Sequence, residues 1–260
     1  MKTKKAGIYS IAVFIIISLF LLTPIFATFL YSVFADFTGI IPKEFTLDFY
    51  ALLFSADMRA AIARTLIISI VPTMIIFVLV LFAVYAVKSY FPELDKFFSV
   101  ASKIPYGIQG IIMAVSVLSL YSSGFGLMSN RIFLLTATYC IMVLPYMYQG
   151  VKNSLDTIDM APILESAQVL GANRLYAFVT IIVPAITRGL FTTILLCTGL
   201  LLCDFVLVNI LAGSYYSTLG IIMNKISAKS GHAASVISVA IFVMMLVLSL
   251  ITDKLNKEAD

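Results

Sequence analysis

The chain has 260 residues, of which 62% are hydrophobic and 12% charged, with a mean hydropathy of +1.08. A soluble domain is about 45 to 50% apolar and about 25% charged, so too few polar side chains are present to cover a water-facing surface, and the chain belongs in a membrane. The net charge of +4 is spread over short segments between apolar runs, which gives no nucleic-acid patch. His232 has no Asp, Glu or Cys neighbours that would complete a metal site. Cys140, Cys197 and Cys203 lie inside apolar runs and read as small buried hydrophobes rather than a disulfide framework.

In chain order, the uncharged run from Ala6 to Ala35 is longer than the ~20 residues one crossing needs. Lys2, Lys4 and Lys5 precede it as they would in a signal peptide, but its length and the lack of a small-x-small cleavage pattern favour a retained anchor. The segment from Asp36 to Ala63 mixes apolar and charged residues, and Thr46-Leu47-Asp48 before Phe49 to Leu53 predicts a capped short helix at the outer surface. Its alternative is a plain connector packed on the bundle. Further spans are expected near 65–87, 104–122, 132–150, 189–212 and 233–252, with the fifth ending at the turn-forming Ala212-Gly213-Ser214. These six spans, the first near 8–34, make one all-α polytopic membrane domain over 1–260.

Six crossings place both termini on one side. With that side inside, the inner segments hold eleven basic residues (Lys2, Lys4, Lys5, Lys88, Lys96, Lys103, Lys152, Arg174, Arg188, Lys254 and Lys257). The outer segments hold six, namely Lys43, Arg59, Arg64, Arg131, Lys225 and Lys229. The excess places both termini in the cytoplasm.

The inner loop 152–188 is far longer than a helix connection requires. Asp156 or Asp159 can cap a helix there, Pro162 fits its first turn, and Gly171 suits the position just past its end. Ile163, Leu164, Ala167 and Leu170 fall on one face. A second helical stretch from Asn173 places Leu175, Phe178, Val179 and Ile182 in phase until Pro184 interrupts it.

Glu165-Ser166-Ala167, three residues, Gly171, nine residues, then Ile181-Ile182-Val183-Pro184 resembles the E-A-A-x3-G-x9-I-x-L-P signature of the membrane permeases of binding-protein-dependent ABC importers. Ser166 stands for the second Ala and Val183 for Leu, and Ala172 follows the motif core as in many members. The resemblance implies a type I ABC importer permease fold in the cell inner membrane. It makes Glu165, Ser166, Ala167, Leu170, Gly171, Ala172 and Pro184 part of an ATPase-coupling element, whose helix docks in a groove of a cytoplasmic ATPase. The partners implied are a second permease, homologous or identical, two ATPase copies and an extracytoplasmic solute-binding protein. The chain has no G-x4-G-K-[ST] phosphate loop, so it carries no cofactor of its own and ATP belongs to the partner ATPase.

Weaker similarity covers roughly Ile8 to Thr252. It rests on Thr46-Leu47-Asp48-Phe49-Tyr50, Leu144-Pro145-Tyr146, Asp204-Phe205, Leu211-Ala212-Gly213 and Thr218-Leu219, which look like patterns in permeases for polyamines, ferric iron and phosphonates.

Asp204 is the formal charge inside an expected span, and a carboxylate there costs at least ~2.5 kcal/mol on insertion scales. It either lines the translocation path, attracting a cationic solute such as a polyamine, or hydrogen-bonds a neighbouring helix. Gln109, Tyr139, Gln149 and Asn209 are further candidates for the path. Ile104-Pro105-Tyr106-Gly107 opens the third span as an interrupted helix, which suits either a cavity lining or close helix packing. A self-sufficient secondary transporter would show more intramembrane ionisable residues and a repeat. A membrane-embedded enzyme would need a constellation of acids, bases or metal ligands. Neither pattern is found in the sequence, so a non-catalytic transport subunit is expected.

Overall fold

The structure is a computed structural model that describes residues 2–36, 43–108, 110–121, 129–213 and 215–258. It resolves into two compact units: residues 1–60 with 222–243, and residues 61–221 with 244–260.

In the first unit, α1 (Lys2–Val33) leads into a short antiparallel ribbon of β1 (Phe34–Asp36) and β2 (Lys43–Phe45), with Phe34 opposite Phe45 and Asp36 opposite Lys43. The two phenylalanine rings meet edge to face at 5.9 Å, an aromatic cross-strand pair that helps fix the register. The short helix expected after Thr46 is a 3-10 helix, Asp48–Phe54, and the Thr46 hydroxyl accepts the Asp48 amide at 3.2 Å. The imidazole of His232 stacks between Tyr31 (4.1 Å) and Phe49 (5.1 Å), and its Nδ1 lies 2.8 Å from the Tyr31 carbonyl oxygen. These contacts pin the 3-10 helix to α1 and to the start of the last helix, α12 (Gly231–Glu258).

In the second unit, α2 (Ala56–Tyr90, from Ala61 onward) carries a ladder of hydroxyls. Thr65, Ser69 and Thr73 each donate to the carbonyl four residues before, which satisfies polar atoms that lipid could not. Then follow α3 (Asp95–Ala101), a 3-10 turn at Ile104–Gly107, α4 (Ile111–Tyr121), and α5 (Arg131–Leu155), capped by the Asn130 side chain on the Ile132 and Phe133 amides. Leu135, Tyr139, Val143, Met147, Val151 and Leu155 recur every fourth position of α5, and all are fully buried. This helix is the axis of the core.

The loop after α5 forms α6 (Met160–Val169), α7 (Arg174–Ala177), a π-turn and α8 (Val183–Ala185). It leads into α9 (Thr187–Leu202), α10 (Val206–Ala212), α11 (Leu219–Ser227) and α12 (Gly231–Glu258). The Leu219 amide at the head of α11 donates to Thr65 Oγ1 at 2.9 Å, tying it to α2.

Among the described residues, four helices are long and apolar enough to cross a membrane alone: Val13–Val33, Ala56–Tyr90, Arg131–Leu155 and Gly231–Lys254. The number rises to six if each of two bent helix pairs counts as one span. The fifth expected span, 189–212, is not one helix. It breaks between Leu202 and Val206, because the Asp204 carboxylate captures an amide of the next turn instead of letting the helix continue.

Candidate functional site

The expected loop helix is α6, and of the two possible caps Asp159 is the one used. Its backbone is extended (φ −85°, ψ 102°) and its carboxylate accepts the Ala161 amide at 3.3 Å. The helix ends where Gly171 takes φ +84°, a left-handed conformation that side chains resist. The Gly171 amide then bonds the Gln168 carbonyl (2.9 Å) and the Ala172 amide bonds the Ala167 carbonyl (2.9 Å), closing the orphan carbonyls of the last turn.

Met160, Leu164 and Ala167 face the core, while Glu165 and Ser166 face outward. Leu170 does not share the buried face expected of it. The left-handed turn at Gly171 throws it out, so Val169 and Leu170 are 87% and 86% exposed, an apolar tip beside Glu165.

Pro184 does not end the second helical stretch. Phe178–Ile182 form a π-turn in which the Val183 amide bonds the Phe178 carbonyl five residues back, and the helix runs through Pro184 to Ala185. The extra residue per turn relieves the clash a proline ring makes with the carbonyl four back. The break comes at Ile186 (φ −105°, ψ 9°), with a bend of 76° into α9. Phe178 and Ile182 are fully buried, whereas Leu175 and Val179 are exposed.

Two ion pairs hold the base of this loop among the described residues: Lys88 with Asp156, and Lys152 with both oxygens of Asp95 at 2.8 and 2.6 Å. A recess of about 230 Å³ beside α6 is lined by Lys88, Ser89, Glu165 and Arg174 among others. Gln149 donates to Asn153 at 2.6 Å on the exposed side of α5.

Where the loop leaves α5 and enters α9, two glycines bring the helices together. A Cβ on Gly150 would lie 2.2 Å from Thr193 Oγ1, and one on Gly189 would lie 2.2 Å from Ser154 Oγ. The sequence signal, Gly150-x3-Ser154 and Gly189-x3-Thr193, is a small-x3-small spacing on both flanks of the loop that the motif reading passed over.

Asp204 sits in the break between α9 and α10. Tyr139, fully buried on α5, donates its hydroxyl to Asp204 Oδ2 at 2.9 Å, and the Leu207 amide donates to the same oxygen at 3.1 Å. The carboxylate is therefore compensated by a phenol and by the N-terminal end of α10. Asn209 lies on the exposed side of α10, away from Leu207, Val208 and Leu211, which are buried. The structure thus joins Tyr139 to Asp204 and keeps Asn209 apart from them. Gln109 lies outside the described residues.

No protein-family profile matches the chain. A protein of Salmonella typhimurium named as the permease of a 2-aminoethylphosphonate transport system is 20% identical over 258 residues, covering 97% of this chain and 96% of that protein. A counterpart in Salmonella choleraesuis is 19% identical over 245 residues, covering 93% and 91%. Among solved structures, a bacterial ABC transporter that imports the acidic polysaccharide alginate superposes with a TM-score of 0.75 at 17% identity, over 98% of this chain and 96% of that one. The chain has the fold of an ABC-importer permease. The chain also superposes on an inward-facing MetNI methionine ABC transporter, with a TM-score of 0.61 at 15% identity over 79% of this chain and 99% of the other. Its apolar helices make it a multi-pass membrane protein.

Proposed function

We propose that the permease is a non-catalytic subunit of an ATP-driven importer, and that its 152–188 loop couples it to a cytoplasmic ATPase. The observation that carries this reading is the construction of α6. The helix is anchored by Leu164 and Ala167, capped at both ends, and presents Glu165, Val169 and Leu170 outward on a chain whose fold matches importer permeases along nearly its whole length. A short rigid helix with an apolar tip and one carboxylate has the form of a helix-in-groove ligand. The loop then lies in the cytoplasm with both termini, in line with the excess of Lys and Arg on that side. The working assembly is a pair of permeases, two ATPase copies and an extracytoplasmic binding protein, as the resemblance implies.

For the solute we propose a small amino-phosphonate, the class for which the full-length relatives are named. A polyamine has less support. It rests on the short motif resemblances and on a carboxylate able to face a cation, and Asp204 Oδ2 is committed to Tyr139 and Leu207. Uptake by the reconstituted importer, competed with 2-aminoethylphosphonate, spermidine and a ferric chelate, tests this. Competition by spermidine alone would reverse the assignment.

A further inference from the structure

The antiparallel pair α5 and α9 flanks the loop, and it is locked at two places. At the loop end, Gly150 abuts Thr193 and Gly189 abuts Ser154. The Ser154 hydroxyl donates back to the Gly150 carbonyl, and the Thr193 hydroxyl to the Gly189 carbonyl, each at 2.8 Å. The four residues form a closed quartet in which neither helix can slide without driving a side chain into backbone. Eleven residues along, about 16 Å at a rise of about 1.5 Å per residue, Tyr139 of α5 holds Asp204, just past the end of α9, in the same antiparallel register. That second tie therefore sits in the break at Cys203–Phe205, and beyond the break lies α10.

Resting on the assignment of 152–188 as the coupling loop, we propose that Gly150 and Gly189 are positioning residues of the coupling step. They make α5 and α9 one rigid rod that carries movement of the loop to the break at Asp204. Without the quartet, displacement of α6 would be absorbed by slippage between the helices. The two contacts differ in stiffness. A methyl on Gly150 would meet Thr193 Oγ1, Cγ2 and Cβ at 2.2, 2.3 and 2.8 Å, so no rotamer of Thr193 makes room. A methyl on Gly189 would meet Ser154 Oγ at 2.2 Å but its Cβ only at 3.0 Å, and Ser154 can rotate away. Gly150 is therefore the more demanding position.

Two experiments on the complete importer in liposomes test this. In the first, Gly150→Ala lowers solute imported per ATP hydrolysed by about fivefold, within the range by which coupling networks respond to mutation, while ATPase association is retained. Gly189→Ala has a smaller effect, and the size exchange Gly150→Ala with Thr193→Gly restores the ratio to within about twofold of the parent. An unchanged ratio in Gly150→Ala, or no rescue by the exchange in a folded protein, overturns the proposal.

The second does not depend on Gly150→Ala folding. In a background with Cys140, Cys197 and Cys203 replaced by alanine, Ser154→Cys with Gly189→Cys places two Cβ atoms about 3.0 Å apart. That is shorter than the usual disulfide range of about 3.5 to 4.5 Å, so the two positions must separate slightly for the bond to form. A rod tolerates this cross-link, so ATP-driven uptake by the double-cysteine variant is the same oxidised as reduced. Loss of uptake on oxidation, recovered with reductant, would show that the helices must slide. Failure of the parent chain to recruit any ATPase would instead remove the coupling-loop assignment itself, a result neither variant can mimic.

Discussion

Truncating Asp204 to alanine removes the acceptor shared by the Tyr139 hydroxyl and the Leu207 amide, both on fully buried residues. Each orphaned buried donor costs about 1 to 3 kcal/mol, so the variant should lose about 2 to 6 kcal/mol. Asp204→Asn keeps a carbonyl oxygen for both donors and gives up only the charge assistance, a loss of about 1 kcal/mol. Tyr139→Phe removes one bond to a charged acceptor, about 1.5 to 3 kcal/mol in the parent, and less in the Asp204→Asn background, where the bond is neutral. Thermal unfolding of the purified chain in mild detergent, read for the parent and the three single variants, should rank parent, Asn, Phe and Ala in descending stability. Uptake by Asp204→Asn should match the parent. If Asn proves as damaging as Ala, the shared carbonyl acceptor is not what holds the tie, and if Asp204→Asn unfolds normally yet imports nothing, the carboxylate acts on the solute by its charge.

Gly171→Ala should cost about 1 to 2 kcal/mol for holding a side chain at φ +84°. No atom lies within 4 Å of the new methyl, so Gly171→Asn, which tolerates that conformation, should recover much of the loss in a thermal melt. Val169→Ser and Leu170→Ser alter side chains that are almost fully exposed, so unfolding should shift by less than about 0.5 kcal/mol. Affinity for the ATPase, measured by titration, should fall at least about fivefold for one of them. Phe178→Ala empties a fully buried site under the π-turn and should lose about 3 to 5 kcal/mol, seen as a lower yield of monodisperse chain.

The helix α6 was readable residue by residue because its determinants are local. A capping aspartate, a proline in the first turn and a terminal glycine act within a few positions of themselves. Leu170 was misplaced by the same reasoning, because helical periodicity continues on paper past a residue whose backbone the following glycine has already turned. Pro184 was misread for a related reason: a π-turn costs no recognisable residue, so a proline that breaks an α-helix and one that a π-turn absorbs look alike. The partner of Asp204 was out of reach. Tyr139 and Asp204 were both candidates for the path, but 65 residues separate them and nothing local pairs one with the other. Gly150, Ser154, Gly189 and Thr193 stood in plain spacing, but their meaning depends on two helices meeting in one register, which a single sequence does not specify. The β1–β2 ribbon is too short for alternation to announce it.

The most direct test of coupling through the 152–188 loop is to purify the tagged chain from its membrane in mild detergent and identify what comes with it, using Glu165→Ala and Gly171→Pro as controls. The account predicts a Walker-motif ATPase recovered with the parent and lost or weakened in both variants. A chain that comes out alone, and still transports solute in liposomes without ATP, would contradict it.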